Sequence, residues 1–235
     1  MAGPSGGKRV GLLAPMEHEL QPLVRRLGLE PDGPVYRGRA GDVEVVALLT
    51  TMGMAAAAAA ARRILEEDVD WVIVVGIAGG LDPERTTIGD LVVPEAVIDR
   101  VAGVSYRPSR LGDHPPRGTI SCGDELIVDP ARLGEMLADG VVAVDMETAA
   151  VAAVCEGAGC PWSVFRGISD FAGEGLVDEE LFALSRPDGT ADADALTRYL
   201  DANPGKADVL IRLAQDMSAA TEAAADAAIR SLTSV

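Results

Sequence analysis

Histidine, cysteine and aromatic side chains are scarce in this chain, and each shortage removes a class of function. Only His18 and His114 occur among 235 residues. Two imidazoles are too few for a histidine-rich metal centre, and a Ser-His triad has little to draw on. Cysteine stands at 122, 155 and 160. The count is odd and no Cys-x-x-Cys pair exists, which argues against a disulfide framework or a zinc site. Aromatics make up 3% of the chain, so the core must be built from Ala, Val and Leu. No apolar run approaches the roughly 20 residues of a membrane span. Residues 1–9 (MAGPSGGKR) lack the apolar stretch of a secretory signal and read as a flexible N-terminus. Basic residues are also few: 20 against 37 acids gives a net charge of −17. Nucleic acid and anionic membranes would both repel such a surface. A small anion held by one or two local arginines remains compatible with it. The expected location is cytoplasmic, with reduced thiols.

What is present is a long apolar pattern. Hydrophobic residues reach 48%, too many for a disordered chain. Residues 10–235 read as one domain with alternating strands and helices. Val10–Ala14, Val43–Leu49, Trp71–Gly76, Val141–Val144 and Ser163–Ile168 read as strands. The stretch 71–76 (WVIVVG) is apolar throughout, the pattern of a central strand covered on both faces. Val35–Gly38 and Val43–Leu49 suggest a hairpin turned at Ala40-Gly41-Asp42. Helices are expected at 16–29, 55–66, 133–137 and 147–158, with an Ala-rich C-terminal pair split at Asn203-Pro204-Gly205. The seven alanines at 55–61 predict a smooth helix that packs its backbone closely. The Pro-rich segment 108–117 reads as an exposed loop, and His18 as facing solvent. The fold class is therefore α/β, a mixed and mainly parallel sheet surrounded by helices.

Ligands in such folds sit at the carboxyl ends of strands. That places Glu17, Glu19, Asp145, Glu147 and Asp170 where chemistry is expected, and two acids in different surroundings can supply one base and one acid. Most acids in so acidic a chain are solvated surface groups, so spacing alone does not select among them. The glycine-rich GIAGG at 76–80 reads as a turn that could offer backbone N–H groups to a phosphate or a planar ligand, or as an ordinary tight turn. Arg166 lies inside an apolar strand, where its charge needs either a buried carboxylate or a ligand.

Five blocks carry a resemblance. They are Pro15-Met16-Glu17-His18-Glu19, Gly76-Ile77-Ala78-Gly79-Gly80, Gly89-Asp90-Leu91-Val92-Val93, Val144-Asp145-Met146-Glu147-Thr148 with the following Ala149-Ala150-Val151-Ala152, and Phe165-Arg166-Gly167-Ile168-Ser169-Asp170. In that order they resemble the nucleoside phosphorylase/nucleosidase superfamily, most of all the 5′-methylthioadenosine/S-adenosylhomocysteine nucleosidases. The resemblance implies a single α/β domain around a mixed, partly barrel-like sheet, assembled as a homo-oligomer such as a dimer. It implies a purine nucleoside substrate, adenine release, and no metal or redox cofactor. Asp170 would be the general acid that protonates purine N7, with Ser169 holding it. Glu19 would activate the attacking water. Glu147 would accept the ribose hydroxyls, with Met146 packed under the sugar and Asp145 beside it. Arg166 would position these groups. Ala78, Gly79, Leu126 and Ile127 would line the base pocket.

The chain also departs from that pattern. Ile77 stands where the nucleosidases usually carry Ser, and Leu126 where an aromatic usually stacks on the base. The stretch between Pro94 and Thr119 is short. In the relatives this region helps enclose the 5′-substituent, often across a dimer interface, so a more open pocket suited to a bulkier 5′-group is expected. The C-terminal part, with Arg186-Pro187-Asp188-Gly189-Thr190, is similar to the hopanoid-associated phosphorylases, thought to act on adenosylhopane. Three functions follow: hydrolysis of a purine nucleoside by water, phosphorolysis of an adenosyl nucleoside by phosphate, or nucleoside binding without catalysis. Arg25, Arg26 and Arg85 are the arginines considered for a phosphate site.

Overall fold

The structure, a computed structural model, describes residues 7–174 and 179–235. Most of the expected flexible N-terminus lies outside the described residues. Arg9 already opens the first strand, its backbone N–H bonded to Asp70 at 2.8 Å. In chain order the elements are β1 (Arg9–Ala14), α1 (Glu17–Leu27), β2 (Glu30–Asp32), β3 (Val35–Ala40), β4 (Val43–Leu49), α2 (Met54–Leu65) and β5 (Trp71–Gly80). Then come β6 (Leu91–Val92), β7 (Ala96–Asp99), β8 (Val104–Tyr106), β9 (Thr119–Cys122), α3 (Pro130–Ala138), β10 (Val141–Asp145), α4 (Thr148–Ala158) and β11 (Trp162–Phe171). The short α5 (Glu179–Phe182), α6 (Ala193–Ala202) and the long α7 (Ala207–Ser231) complete the chain.

All the strands join one mixed sheet. Its centre is parallel: β4, β1, β5 and β11 pair in that succession. Antiparallel pairs sit outside this centre, including the expected β3–β4 hairpin, in which Ala40 faces Val43 and Gly41 takes φ 60°. β5 forks the sheet. Its first half pairs with β1, its last two residues pair with β10, and β11 runs along its other edge.

Side chains alternate across the central strands and so divide the core in two. Leu13, Val72 and Val74 point to one face, against Ala57, Ala60, Ala61 and Ile64 of α2 and Ala149 to Ala152 of α4. The alanine run thus does what its smoothness predicts, letting two helices and the sheet approach closely. Val10, Leu12, Ile73, Val75 and Phe165 point to the other face, against Leu20 and Leu23 of α1 and Ala224, Ala225, Ala227 and Ala228 of α7. α7 comes so near β11 that a Cβ on Gly167 would run into the main chain at Ala220.

Two expectations change here. The segment 108–117 is not a free loop. Leu111 is buried in the second core, Ser109 exchanges hydrogen bonds of 2.7 Å with Trp162 and Ser163, and the His114 ring meets Phe165 edge-on at 6.0 Å. The GIAGG segment is not a turn either, because β5 continues through it, paired with β11 and β10.

Candidate active site

The ends of β1, β4, β5, β10 and β11 converge on one buried cluster of charge. Arg166 on β11 is fully buried. Its guanidinium holds Asp145 at 2.8 Å and Glu147 at 3.1 Å, and Nη1 lies 3.9 Å from Glu19 Oε1. Burial works against the Arg166 charge, but Asp145, Glu147 and Glu19 outweigh it and hold the group protonated. Each acid is fixed by further donors. Asp145 accepts the Thr148 hydroxyl and, more weakly, the N–H groups of Glu147 and Thr148, so it closes the start of α4. Glu147 accepts the Gly53 N–H at 3.1 Å, at the start of α2. Glu19 is the third residue of α1 and accepts the Met16 N–H at 2.7 Å, half of a capping box. Its other oxygen accepts the Ile77 N–H at 2.6 Å.

These contacts explain the glycine at 76. A Cβ there would overlap the Glu19 carboxylate and the Arg166 guanidinium. The glycine serves close approach of side chains rather than a phosphate cradle, since Glu19 already takes the Ile77 N–H. Burial raises the Glu19 carboxyl to about 8, against the pull of Arg166 and the two N–H donors. Burial also raises Glu147, to about 6, with Arg166 opposing and Asp145 adding to the rise.

Asp170 is carried at the end of β11. β11 pairs Ile168 with Ala78 and Asp170 with Gly79, so Ser169 is an extra residue in the ladder. Such a bulge breaks the strict alternation of side chains and re-aims them. The Ser169 hydroxyl donates to Asp170 Oδ1 at 2.5 Å. Burial raises the Asp170 carboxyl above its ordinary value, and the Ser169 bond only partly offsets this. A carboxyl so placed can hold a proton to donate.

One cavity of about 470 Å³ touches both acids. Its walls include Glu19, Ala78, Gly79, Leu126, Ile127, Asp145, Met146, Glu147, Ser169 and Asp170, all of them residues expected from the sequence. Arg166, also expected at the ligand, is not among the lining residues and lies against Glu19, Asp145 and Glu147 instead. Sequence reasoning missed Arg100, Phe171 and Phe182 as walls. Arg100 donates to the carbonyls of Ser121, Gly123 and Glu125 and so laces the loop that carries Leu126 and Ile127. No local pattern marks such a role, because its partners are backbone atoms distant in sequence. Asp124 in that loop accepts the Met54 N–H at 2.7 Å, tying the loop to α2.

The arginines considered for phosphate lie elsewhere. Arg25 and Arg26 pair with Glu222 and Asp226 on α7, and Arg85 is an exposed neighbour of Asp82. His18 does not face solvent freely. It lies beside a smaller cavity of about 250 Å³ between α1 and α7, and its Nε2 is buried without a hydrogen-bond partner. Burial lowers its pKa. Cys122 is a core residue against Met54 and Ala149, and Cys155 is buried with its thiol pushed up to about 12.

A family model described as "Phosphorylase superfamily" matches residues 9–116 and 107–202. The chain is 32% identical over 170 residues to a 5′-methylthioadenosine/S-adenosylhomocysteine nucleosidase of Marinomonas sp. (strain MWYL1), covering 59% of this chain and 73% of the relative. It is 30% identical over 203 residues to the protein of the same name from Exiguobacterium sp., covering 71% and 86%. Among solved structures, the 5′-methylthioadenosine/S-adenosyl homocysteine nucleosidase of Helicobacter pylori superposes with a TM-score of 0.72 at 20% identity, covering 97% and 99% of the two chains. The futalosine hydrolase of Helicobacter pylori superposes with a TM-score of 0.69 at 21% identity, covering 97% of each chain. The two structural likenesses concern the fold, whereas the matched family model spans most of the chain, blocks and site acids included: the chain belongs to the phosphorylase superfamily.

Proposed function

We propose that the protein is a purine nucleoside N-ribosyl hydrolase, which cleaves the glycosidic bond of an adenosine-type nucleoside with water. The observation that carries this reading is that one cavity is lined by two acids whose carboxyls burial raises, Asp170 beside Gly79 and Glu19 beside Glu147. Asp170 protonates purine N7, so the base leaves neutral. Departure of the base builds positive charge on the ribose. Glu147, held by Arg166 and the Gly53 N–H, accepts the ribose hydroxyls and faces that charge. Glu19 orients the water and takes its proton. Before substrate binds, burial keeps a proton on Glu19 near neutrality. The cationic ribose favours the ionised form, so Glu19 releases that proton to solvent and its carboxylate is then free to accept the proton of the water.

The electrostatics favour water over phosphate. Glu19, Glu125, Asp145, Glu147 and Asp170 line the cavity, and Arg100 is the one cation among the described lining residues. Three free cysteines support a cytoplasmic location. Val101 and Val104 at the β7–β8 hairpin are 87% and 43% exposed, an apolar edge that supports pairing with a second copy. The test is adenine release from 5′-methylthioadenosine, S-adenosylhomocysteine and adenosine, with and without phosphate. Release without phosphate is expected, yielding the free sugar with its 5-substituent retained (ribose only from adenosine). Strict dependence on phosphate with the corresponding sugar 1-phosphate as product overturns the reading.

A further inference from the structure

α2 begins without a cap of its own. Its N-cap is Gly53, and the first turn is Met54 followed by alanines, with no acid in it. The first N–H donors of such a helix need partners from elsewhere. Two acids distant in sequence supply them. Glu147 Oε1 accepts the Gly53 N–H at 3.1 Å, and Asp124 Oδ1 accepts the Met54 N–H at 2.7 Å. Asp124 belongs to the loop after β9, whose Gly123, Glu125, Leu126 and Ile127 wall the cavity. Asp124 itself is not among the walls.

The segment leading into α2 is strained. Thr51 takes φ 63° and Gly53 φ 102°. A β-branched residue in the left-handed region stays there only because its surroundings hold it. The Thr50 N–H donates to the Ala14 carbonyl at 2.9 Å, and the Met52 N–H to the Pro187 carbonyl at 2.7 Å. Beyond Met52, the N–H groups of Gly53 and Met54 are held by the two acids. The Glu147 carboxylate is in turn fixed at both oxygens, by the Gly53 N–H on Oε1 and by Arg166 Nη2 on Oε2 at 3.1 Å. If the Gly53 N–H shifts, the carboxylate loses one of these anchors and turns. The loop that carries Asp124 is anchored on either side of it. The Gly123 N–H donates to the Asp145 carbonyl at 3.0 Å, and Arg100 donates to the carbonyls of Gly123 and Glu125 at 2.8 and 2.9 Å.

We propose that Asp124 is a positioning residue for the ribose end: by holding the start of α2 it keeps the Gly53 N–H on Glu147, and so makes the grip on the ribose hydroxyls depend on the loop that walls the base. The inference rests on the part given to Glu147 above.

The measure is the ratio of kcat/KM for adenine release from adenosine to that from 2′-deoxyadenosine. It is taken on wild type, Asp124→Ala, Asp124→Asn and Glu147→Gln, with folding checked by thermal denaturation. Asp124 is exposed, so its substitution leaves the core untouched. Asp124→Ala should lower the ratio about fivefold to tenfold, part of the worth of a hydrogen bond to a charged group. Asp124→Asn should keep the ratio within about twofold of wild type, because the amide oxygen still accepts the Met54 N–H. Added to Glu147→Gln, Asp124→Ala should leave the ratio where Glu147→Gln alone puts it. Equal slowing of both substrates by Asp124→Ala, which a merely structural role would give, overturns the proposal, as does an Asn variant that behaves like Ala. A ratio moved by Glu147→Gln but not by Asp124→Ala overturns the positioning role alone. A ratio that Glu147→Gln does not move overturns the ribose reading on which it rests. The dissociation constants of both nucleosides, measured by calorimetry on Asp170→Asn with and without Asp124→Ala, give the same ratio for binding. If that ratio follows Asp124 while no nucleoside releases adenine, the positioning role stands and the hydrolase reading falls.

Discussion

Replacing Glu19 by glutamine should change how stability depends on pH. The carboxyl sits at about 8 in the folded protein and at 4.5 in an open chain. Between these values the folded state holds one proton at Glu19 that the unfolded state has released. Stability therefore falls as pH rises, by about 1.4 kcal/mol per unit for this group. The contribution is complete below the unfolded value and is lost as pH passes through 8. Integrated from about pH 5.5 to about pH 7.5, the loss is about 2–3 kcal/mol. The amide of Glu19→Gln cannot ionise and removes that slope. It also leaves Glu147 with a neutral neighbour, as the protonated acid does, so the pair does not confuse the reading below pH 8. The amide loses one acceptor for the Met16 or Ile77 N–H, which shifts the whole curve down without tilting it. Urea denaturation at several pH values across the window measures both curves. The variant should be flatter by about 1.4 kcal/mol per unit. Parallel curves would mean that Glu19 is already ionised at the acid end, and the account of its burial would be wrong.

Other outcomes follow from the same geometry. Asp170→Asn should cut adenine release by about 10²–10⁴-fold with the fold intact, the usual worth of one general acid–base group; a loss under tenfold would remove Asp170 from that role. Arg166→Met leaves three acids facing one another without their cation, and urea denaturation should show a loss of about 3–5 kcal/mol. Gly167→Ala drives a methyl into the α7 main chain at Ala220, so denaturation should register about 1–3 kcal/mol of destabilisation while the site residues stay in place.

The central strands are legible in the sequence because they leave a local signal, whereas the acids stand out only through the motif blocks that carry the resemblance, not through their spacing. A run such as 71–76 is apolar on every residue only if both faces are covered, and the two cores on either side of β5 bear this out. β2, β7 and β8 leave no such signal. They are three or four residues long, mostly half-buried or exposed, and owe their form to their partners. The GIAGG segment departs from its expected turn for a physical reason. Glycine in sequence marks either a turn or a place where something comes close, and only the structure shows Glu19, Val144 and Phe171 occupying the space of the missing side chains. His18 and Leu111 fail in the opposite direction. Their neighbours in sequence are polar, and the surfaces that bury them, α7 and β11, come from the far end of the chain.

The C-terminal helices show where sequence periodicity stops. The leucines of α6 and the first half of α7 recur as they would on any amphipathic helix, and the pattern reads as core. α7 divides into two functions along its length. From Ala220 onward its small buried residues lie flat on β11 and allow the approach that Gly167 permits. Before that point its larger side chains, Leu210, Leu213 and Met217, are half-buried and face the cavity. Alanine gives a helix nothing to reach with and so suits contact with a sheet, whereas leucine and methionine reach across a space and enclose it. The exchange of one residue type for the other along a single helix separates the part that builds the core from the part that bounds the cavity. It is also the feature that ties the aromatic-poor composition to function. With Phe171 and Phe182 among the few aromatics at the cavity, and Leu126 in place of a stacking ring, the walls away from the acids and Arg100 present mainly aliphatic surface.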